Sequence, residues 1–467
     1  MNCKDIEINI VEGDAFKNDK LGRNKFANNL TKIAESFSKT GAVIAIDGEW
    51  GAGKTTFVKM WKQQLLDTDY KTVYFNAWEC DFQDDPFIAI MSELSSVFNK
   101  ANNKGDNLIS ISTRIIPRVA GEIIKGFIKN CIGLNTEVID VAIDETAEQC
   151  KKWITNYQEQ KDTIIEFRRQ LSEFVASESG GKPLIFFIDE LDRCNPHFAV
   201  KLLERVKHIF EVPNIIFVLS LNINQLQYAI QGFYGSSNIN GREYLRRFID
   251  IEFTLPAPNM ESYSEFLYEK YELSTYFDCC VRKNDYNLAS ESQLFKQIAI
   301  DVLNSSSLTL RQANKLFAYM RLSLCTFSIS SHFSSPVFFL LCYIKLFHSN
   351  TYTKIKDGDY SLQELLNTLE DLLPSSLFSN DEYSKHTIAW TIASLIIHYN
   401  RPENRLVREP FKNSGTENNP IFPIRALKID INELFKGLMY YTTVNYSLTN
   451  LKVMFERIDL ASSLQIY

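Results

Sequence analysis

The sequence predicts an α/β protein that contains a parallel sheet and continues into an all-helical region. Continuous apolar runs start at Gly41, Thr72, Pro183 and Asn214, and a fifth run, "FIDIEFTLP", starts at Phe248 and stops at a proline. Such runs are typical of strands that are buried on both faces of a parallel sheet. Amphipathic helical patterns lie between most of these runs, and strands that alternate with helices favour this class of fold.

The spacing of the runs predicts an insertion within the sheet-forming part of the chain. About a hundred residues separate the second run from the third, which is more than one helix can fill. We therefore expect a helical insertion at about 97–178. Its amphipathic middle either packs on the sheet or lies on a partner or a membrane surface. Arg114, Arg118 and Lys125 interrupt its apolar face, which favours packing on the sheet.

The chain after Pro256 carries helical patterns, interrupted by a polar stretch at 401–423 that we expect to be a long exposed loop or a mobile segment. Two apolar runs in this part, "PVFFLLCYI" and "IASLII", are shorter than the roughly 18 residues of a membrane-spanning helix, so we expect buried helices. The sequence thus predicts three regions: a core at 1–256, a helical region at 257–325 and a C-terminal helical accessory region at 326–467.

Composition and charge narrow the class of protein. The formal net charge of −7 argues against a surface dedicated to nucleic acid, because such surfaces neutralise phosphates with an excess of lysine and arginine. The nine cysteines show no zinc-ligand spacing, which favours reduced thiols in a cytoplasm. The N-terminus shows no basic segment followed by an apolar run, so no signal peptide is expected.

The stretch "DGEWGAGKTT" predicts a phosphate-binding loop between the first strand and a helix. Its glycines, lysine and threonine fit the pattern G-x-x-x-x-G-K-[ST], in which backbone N–H groups surround phosphates, the lysine reaches the β and γ phosphates and the threonine coordinates Mg²⁺. The pattern therefore predicts a site for ATP with Mg²⁺. The residues expected to contact the nucleotide here are Gly48, Glu49, Trp50, Gly51, Ala52, Gly53, Lys54, Thr55 and Thr56.

A second motif, "PLIFFIDELDRC", predicts the acidic residues of the same site. The apolar run ends at Asp189, which we expect to hold Mg²⁺ together with Thr55. Glu190 follows, where a carboxylate can orient and deprotonate an attacking water. This pair favours hydrolysis over transfer to a bound metabolite, with Glu190, Lys54 and Asp189 as the catalytic residues. The alternative is an ordinary acidic start of a helix.

With both motifs in place, the sequence resembles the KAP family of P-loop ATPases, in the STAND division of the additional-strand, catalytic-glutamate NTPases. The resemblance covers roughly residues 14–320, about two-thirds of the chain. It depends on the stretches "DKLGRNKFANNL", "DGEWGAGKTT", "YFNAWEC", "FIDELDRC", "EYLRRFIDIEFTLP" and "SLTLRQANKL". The resemblance implies the strand order 5-1-4-3-2, with the fourth strand inserted between the strand before the loop and the strand that ends at Asp189.

The resemblance also implies roles for residues outside the two motifs. Ser220 or Asn222, at the end of the fourth strand, would act as a polar sensor of the γ-phosphate, and Arg23 would lie near the adenine. The helices at 257–325 would form a lid that carries a sensor arginine, Arg311. Arg246, with its neighbour Arg247, would reach a phosphate in the same chain or from a neighbouring subunit. For Arg311, Arg246 and Arg247 the alternative is a salt bridge.

Three other residues of the motifs favour structural interpretations. We expect Trp78 to pack in the core, because a large aromatic ring buries much apolar surface. Cys194 is expected to be a small buried residue, and His197, which follows a proline at the start of a helix, to belong to the helix cap region.

The function implied by these observations is a nucleotide-dependent switch with ATPase activity. Members of the family in bacteria are associated with exclusion of phages, which implies a role in defence with a partner effector and, in some settings, a homo-oligomer. Many members carry transmembrane helices where residues 105–142 lie here, and the short apolar runs favour a cytoplasmic protein that at most contacts a membrane peripherally. The alternative is a scaffold that holds nucleotide structurally and recruits a protein partner. A small-molecule kinase and a nucleic-acid motor are less consistent with the acidic pair and the charge.

Overall fold

The computed structural model describes residues 9–82, 85–97, 148–286, 288–378, 382–400, 412–413, 420–421, 424–443 and 451–463. The chain forms two units, Ile8–Ala257 and Pro258–Tyr467. The first unit contains a parallel sheet with helices on both faces. In the described residues of the second unit, helices predominate and one pair of very short strands occurs. The separation of the helical part into a lid and an accessory region at residue 325 stays a prediction.

Five parallel strands form the sheet of the first unit: β1 (Ala42–Asp47), β2 (Thr72–Asn76), β3 (Leu184–Asp189), β4 (Ile215–Leu221) and β5 (Ile251–Thr254). Their order is β2-β3-β4-β1-β5, which is the predicted order read from the opposite edge. β4 pairs with both β1 and β3, as the additional strand should. The predicted fold class and strand order are confirmed.

The register of the sheet brings the carboxyl ends of four strands together. Asp189, the last residue of β3, pairs with Asn76 of β2 and with Ser220 of β4, and Asp47, the last residue of β1, pairs with Leu221 of β4. Because the strands are parallel, the segments that follow them leave from the same edge of the sheet. The loop after β1 and the acidic residues after β3 are therefore neighbours, although about 140 residues separate them along the chain.

Helices cover both faces of this sheet: α1 (Asn24–Ser36), α2 (Lys54–Asp67), α3 (Pro86–Val97), α4 (Glu148–Glu178), α5 (Pro196–Arg205), α6 (Ile223–Tyr234) and α7 (Gly241–Leu245). Alternate side chains of a strand point to opposite faces, so Ile44 and Ile46 join one core while Val43 and Ala45 join the other. Helices α1 and α2 pack in the first core, and α3 to α7 pack in the second. Both faces are buried, which explains why the strands read as continuous apolar runs.

The predicted insertion is described only in part. Its last helix is α4, and Phe167, Leu171 and Val175 of this helix are buried in the core that also contains α5 and α6. The C-terminal half of α4 therefore packs on the sheet. Residues 98–147 include the amphipathic middle of the insertion, so the predicted contact with a partner or a membrane lies outside the described residues.

The second unit is built from helices of 4 to 18 residues: α8 (Met260–Lys270), α9 (Leu273–Phe277), α10 (Cys280–Lys283), α11 (Glu291–Ser305), α12 (Leu310–Leu324), α13 (Ser335–Phe347), α14 (Ser349–Asp357), α15 (Leu362–Leu372), α16 (Glu382–Tyr399), α17 (Ile431–Thr443) and α18 (Leu451–Ser463). The two apolar runs lie in α13 and α16 and are buried, as predicted. Among the helices that the structure describes, none has the length and apolar character needed to cross a membrane.

The polar stretch at 401–423 differs from the prediction of a loop at the residues that the structure describes. Lys412–Asn413 and Pro420–Ile421 form an antiparallel pair of two-residue strands, β6 and β7. The alternating pattern that indicates a strand extends over at least about four residues, so two strands of two residues each leave no such pattern in the sequence. The remaining residues of the stretch lie outside the described ones.

Candidate functional site

The loop between β1 and α2 has the backbone geometry of a phosphate-binding turn. Gly51 and Gly53 both have a φ of 81°, a conformation that residues with a Cβ atom rarely adopt. Gly53 is the N-cap of α2, a helix of 14 residues whose first N–H groups lack partners within the helix. These groups and the positive end of the helix dipole favour an anion at this point.

Lys54 places its ammonium group inside this loop. Its Nζ donates hydrogen bonds to the carbonyl oxygens of Gly48 at 2.6 Å and Glu49 at 3.2 Å. Burial lowers the pKa of Lys54, and the negative charges of Asp192 and Asp189 oppose that shift. The lysine is therefore a partly desolvated cation that faces carboxylates, and a phosphate group could pair with it more strongly than in open solvent.

Asp189 is buried and held in one orientation. One carboxylate oxygen accepts a hydrogen bond from the Tyr74 hydroxyl at 3.0 Å, and the other accepts one from the Glu190 N–H at 3.0 Å. Burial, with the charge of Asp189 next in importance, raises the pKa of Tyr74, so this hydroxyl stays protonated as a donor. The Asp189 carboxylate and the Thr55 hydroxyl are the oxygen donors that Mg²⁺ prefers, so these residues fit the ion.

Glu190 has an unusual backbone conformation and two side-chain partners. Its φ of 60° lies in the left-handed region, which is strained for a residue with a side chain. Its Oε1 pairs with the Arg193 guanidinium at 2.9 Å, and its Oε2 accepts a hydrogen bond from the Asn76 amide at 3.4 Å. The carboxylate is thus held at the carboxyl edge of the sheet between donors from β2 and from the turn after β3.

Trp78 is not a core residue, and that prediction is wrong. Its side chain is 50% exposed, and the Arg193 guanidinium lies over the indole ring at 5.6 Å from the ring centre. The chain leaves β2 at Asn76 and enters a short 3₁₀ turn at Trp78–Cys80, so the ring lies at the edge of the sheet and not in its interior. The ring instead supports the arginine that pairs with Glu190.

Two hydrogen bonds that the sequence did not predict link the loop to the segments that follow β3 and β4. The Trp50 indole N–H donates to the Asp192 carboxylate at 2.6 Å, which joins the loop to the turn after β3. The Asn222 amide donates to the Glu49 carboxylate at 2.8 Å, which joins the loop to the end of β4. The only signal in the sequence was that Trp50 and Asp192 both belong to the stretches that carry the family resemblance.

The two candidate sensors differ in what their side chains already do. Asn222 is the N-cap of α6, where its side-chain oxygen accepts the Gln225 N–H at 3.1 Å while its amide donates to Glu49. Ser220 is 1% exposed, and its hydroxyl has no hydrogen-bond partner among the described residues. Ser220 pairs with Asp189 in the sheet, so both side chains lie on the face that packs against α2. This geometry favours Ser220 as the sensor, a role that stays a prediction.

Arg23 contacts the loop backbone, whereas the resemblance placed it near the adenine. Its guanidinium donates to the carbonyl oxygens of Ala52 at 2.9 Å, Gly53 at 3.4 Å and Pro256 at 3.0 Å. The residue is 3% exposed, and burial lowers its pKa to about 10. Both Nη atoms are thus directed at protein carbonyl groups and stabilise the loop, whereas the buried Nε has no hydrogen-bond partner among the described residues. The role of Arg23 near the adenine stays a prediction.

Arg246 lies near the wrong edge of the sheet for a contact with the phosphates of its own chain. It precedes β5, and four residues later the Asp250 N–H donates to the Val43 carbonyl near the start of β1. The loop follows the far end of β1, about 16 Å away at the usual rise per residue of a strand. The cis alternative is therefore disfavoured, and the guanidinium, with its side chain 70% exposed, pairs with Glu243 at 2.8 Å. A contact from a neighbouring subunit stays a prediction.

The remaining candidates have the following positions. Arg311 lies in the first turn of α12, in the helical unit, and its sensor role stays a prediction. Cys194 is buried, and burial raises the pKa of its thiol, which argues against a nucleophile. The His197 N–H donates to the N-cap side chain of Asn195 at 3.0 Å at the start of α5. The structural interpretations of Cys194 and His197 agree with this geometry.

The chain resembles several solved structures and matches one family model. Similar solved structures include the Aeropyrum pernix ORC2 protein in ADPNP-ADP complexes (15% identity, 65% of this chain and 62% of that chain, TM-score 0.33), Drosophila ORC bound to DNA (14% identity, 94% and 85%, TM-score 0.29) and C. elegans PCH-2 (12% identity, 64% and 70%, TM-score 0.27). The chain thus spans less than two-thirds of the ORC2 chain. No curated protein matches the sequence. The model of the KAP family P-loop domain matches residues 23–322, well over half of the chain, and the protein therefore belongs to the KAP family of P-loop NTPases.

Proposed function

We propose that this protein is an ATP-binding and ATP-hydrolysing molecular switch. The observation that carries the proposal is the convergence of Lys54, Asp189 and Glu190 at one edge of the sheet, beside a glycine turn that opens a helix. A cation, a buried carboxylate and a second carboxylate in this order are the groups that phosphoryl transfer to water requires. An ordinary acidic helix start, the alternative for the second motif, would not explain the buried orientation of Asp189.

Binding would use the loop backbone and two side chains. The N–H groups at the start of α2 would donate to phosphate oxygens, and Lys54 would exchange its bonds to Gly48 and Glu49 for bonds to the β and γ phosphates. Thr55 and Asp189 would hold Mg²⁺, which neutralises phosphate charge when it is bound. The Ser220 hydroxyl, unpartnered among the described residues, would donate to the γ-phosphate or to the attacking water.

Hydrolysis would require Glu190 to accept a proton from the attacking water. The carboxylate has acceptor capacity beyond its bonds to Arg193 and Asn76, because each carboxylate oxygen can accept two hydrogen bonds. Arg193 and Asn76 would fix its direction, and Trp78 would support Arg193. These three residues would therefore position Glu190 and not react themselves.

The switch would operate through the links between the loop and its neighbours. The bonds from Trp50 to Asp192 and from Asn222 to Glu49 join the loop to the turn after β3 and to the start of α6. A change of contacts at the γ-phosphate would therefore shift the turn after β3 and the start of α6. The resemblance supports three further parts of this proposal. The helices at 257–325 form a lid that carries the sensor Arg311, Arg246 reaches the site of a neighbouring subunit in a homo-oligomer, and the protein is cytoplasmic.

Replacing Lys54 with alanine tests the proposed activity. We expect ATP turnover by the purified protein to fall by about a hundredfold or more, because the loop loses its only charged donor to the β and γ phosphates. Binding of a fluorescent ATP analogue should weaken in parallel. Lys71→Ala, an exposed lysine outside the site, is the matched control and should change neither measurement. Equal ATPase activity in Lys54→Ala and the unaltered protein would overturn the proposal.

We also propose that the switch acts in defence against phages together with a partner effector, as the resemblance implies. Cells that express the protein and its neighbouring genes should resist phage infection in a plaque assay, and Lys54→Ala should remove the resistance.

Glu190→Gln distinguishes the switch from a scaffold that only holds nucleotide. If Glu190→Gln keeps full resistance while Lys54→Ala loses it, turnover is unnecessary and the scaffold describes the protein better.

A further inference from the structure

A cavity of about 290 Å³ lies within the helical unit, among residues of α11, α16 and α17 and the segments before α11 and α13. Its size matches the lower end of the range for small-molecule sites. The residues that line it include Glu291, Thr387 and Thr391, which are buried, and His386 and Tyr440, which are exposed. The cavity thus has a buried floor and an open rim, and it belongs to a part of the chain that the two nucleotide motifs do not reach.

Aromatic rings form one wall of the cavity. The rings of Trp390 and Tyr440 lie 5.2 Å apart at 46°, and those of Trp390 and Tyr441 lie 6.0 Å apart at 72°. His386 stacks on Trp390 at 4.7 Å. Rings that meet at such angles present both faces and edges to the space between them, and the face of an aromatic ring carries negative electrostatic potential.

A carboxyl group lies at the floor. Glu291 is 7% exposed, and its Oε2 accepts the Ser335 N–H at 2.6 Å. Ser335 is the donor to this carboxyl group among the described residues, and none of the described residues that line the cavity is a lysine or an arginine. Burial raises the pKa of Glu291 to about 7, although the bonds from Ser335 and the charge of Arg282 oppose that shift.

Arg282 is fully buried, and its Nε and Nη2 have no hydrogen-bond partner among the described residues. Its Nη1 donates to the carbonyl oxygens of Ile329 and Ser331, both at 3.0 Å, and its guanidinium lies against the rings of Tyr276 and Phe277. The positive charge of Arg282 favours the ionised form of Glu291 and so lowers its pKa. The cavity itself therefore offers a carboxylate and aromatic faces to a ligand.

We propose that this cavity binds a small organic cation, an alkylammonium or guanidinium group, which contacts Glu291 and the aromatic wall of Trp390, Tyr440 and Tyr441. A cation over aromatic faces gains electrostatic attraction that a neutral group of the same size does not. Its N–H groups would also donate to the Glu291 carboxylate, which has acceptor capacity beyond its bond from Ser335. An anion would meet the Glu291 charge with no lysine or arginine in the described lining to offset it.

The cation has two sources, a free amine or the side chain of a lysine or arginine on a partner protein. The experiment uses the full-length protein and measures binding by calorimetry and by saturation-transfer NMR. Butylammonium and agmatine represent the free amines, and Nα-acetyl-lysine and Nα-acetyl-arginine methylamides represent side chains of a protein. Butyrate and pentanol are the anionic and neutral controls. Tighter binding of the free amines identifies a metabolite, and tighter binding of the amides identifies a protein partner.

We expect the cationic probes to bind and the controls to bind at least about tenfold more weakly. Glu291→Gln should weaken cation binding by about tenfold or more. Because the raised pKa of Glu291 means that folding favours its neutral form, glutamine should not unfold the unit, and at pH 8 urea unfolding should require at least as much denaturant as for the unaltered protein. Glu456→Gln, an exposed residue of the same unit, should leave binding unchanged.

A second pair of variants tests the aromatic wall. Tyr440 is 39% exposed, so we expect its replacement to cost little stability. Tyr440→Phe keeps the ring and should keep binding, whereas Tyr440→Leu should weaken it by about threefold to tenfold. The proposal is overturned if no cationic probe binds, if pentanol or butyrate binds as tightly as butylammonium, or if Glu291→Gln binds the cations unchanged.

Discussion

Glu190→Gln is expected to lower ATP turnover by about a hundredfold to ten-thousandfold while the affinity for ATP stays within a few-fold of the original. Glutamine keeps the size of the side chain, and its one carbonyl oxygen can still accept a hydrogen bond from Arg193 or from Asn76, but its amide cannot take a proton from water. The loop and Lys54 do not depend on this side chain for their contacts. The chemical step should therefore fail while the bound state persists.

The measurement is phosphate release under saturating ATP, together with the dissociation constant of a fluorescent ATP analogue. Glu79→Gln is the matched control, because Glu79 accepts a hydrogen bond from the same Asn76 amide at 2.8 Å but is exposed beyond the end of β2. The control should change turnover by less than about threefold. A Glu190→Gln protein with full turnover would show that another group activates the water and would remove Glu190 from the proposed mechanism.

Much of the first unit was predictable because its signals are local. Each buried strand is a short apolar run, and parallel strands need buried faces on both sides, so the runs and their alternation with helices predict the sheet without any knowledge of contacts. The strand order could not be obtained in that way. It came from the resemblance, since order depends on which strand packs beside which, and patterns within a run do not contain that information.

The site was predictable where function demands one residue type at one place, and unpredictable where a residue supports another. Lys54 and Asp189 belong to patterns that chemistry imposes. Trp78 and Arg23 do not: an exposed ring under Arg193 and a buried guanidinium on loop carbonyl groups both contradict the usual preference of the residue type. Only the positions of their partners reveal these roles.

The cavity of the helical unit could not be predicted from the sequence for a related reason. Glu291 and Tyr440 are about 150 residues apart, and neither belongs to a motif. Their side chains meet because α11, α16 and α17 pack together, and helical periodicity predicts which face of a helix is apolar but not which helices share a cavity. The same periodicity makes each of these residues look like part of an ordinary amphipathic helix.

Arg23→Leu is expected to reduce the free energy of unfolding of the first unit by about 2–4 kcal/mol and to weaken ATP binding. The substitution removes the guanidinium donor of the Ala52 and Pro256 carbonyl groups at a buried position, whereas the Gly53 carbonyl keeps its bond from the Phe57 N–H. The loss is smaller than the sum of three charged hydrogen bonds, because burial of the guanidinium itself is costly, as its lowered pKa of about 10 indicates. Leucine restores part of the packing but none of the hydrogen bonds.

The stretch "DKLGRNKFANNL" also holds this arginine in place. Asp19 accepts hydrogen bonds from the N–H groups of Leu21, Arg23 and Asn24, which fixes the turn before α1 and directs Arg23 at the loop.

Urea unfolding and nucleotide binding measure the effect of Arg23→Leu. Arg23→Lys should recover only part of both losses, because an ammonium group cannot span three separated carbonyl oxygens as the planar guanidinium does. Arg246→Ala, which removes an exposed ion pair, should change the unfolding free energy by less than about 0.5 kcal/mol, and an equal effect of Arg23→Leu would contradict the role assigned to Arg23.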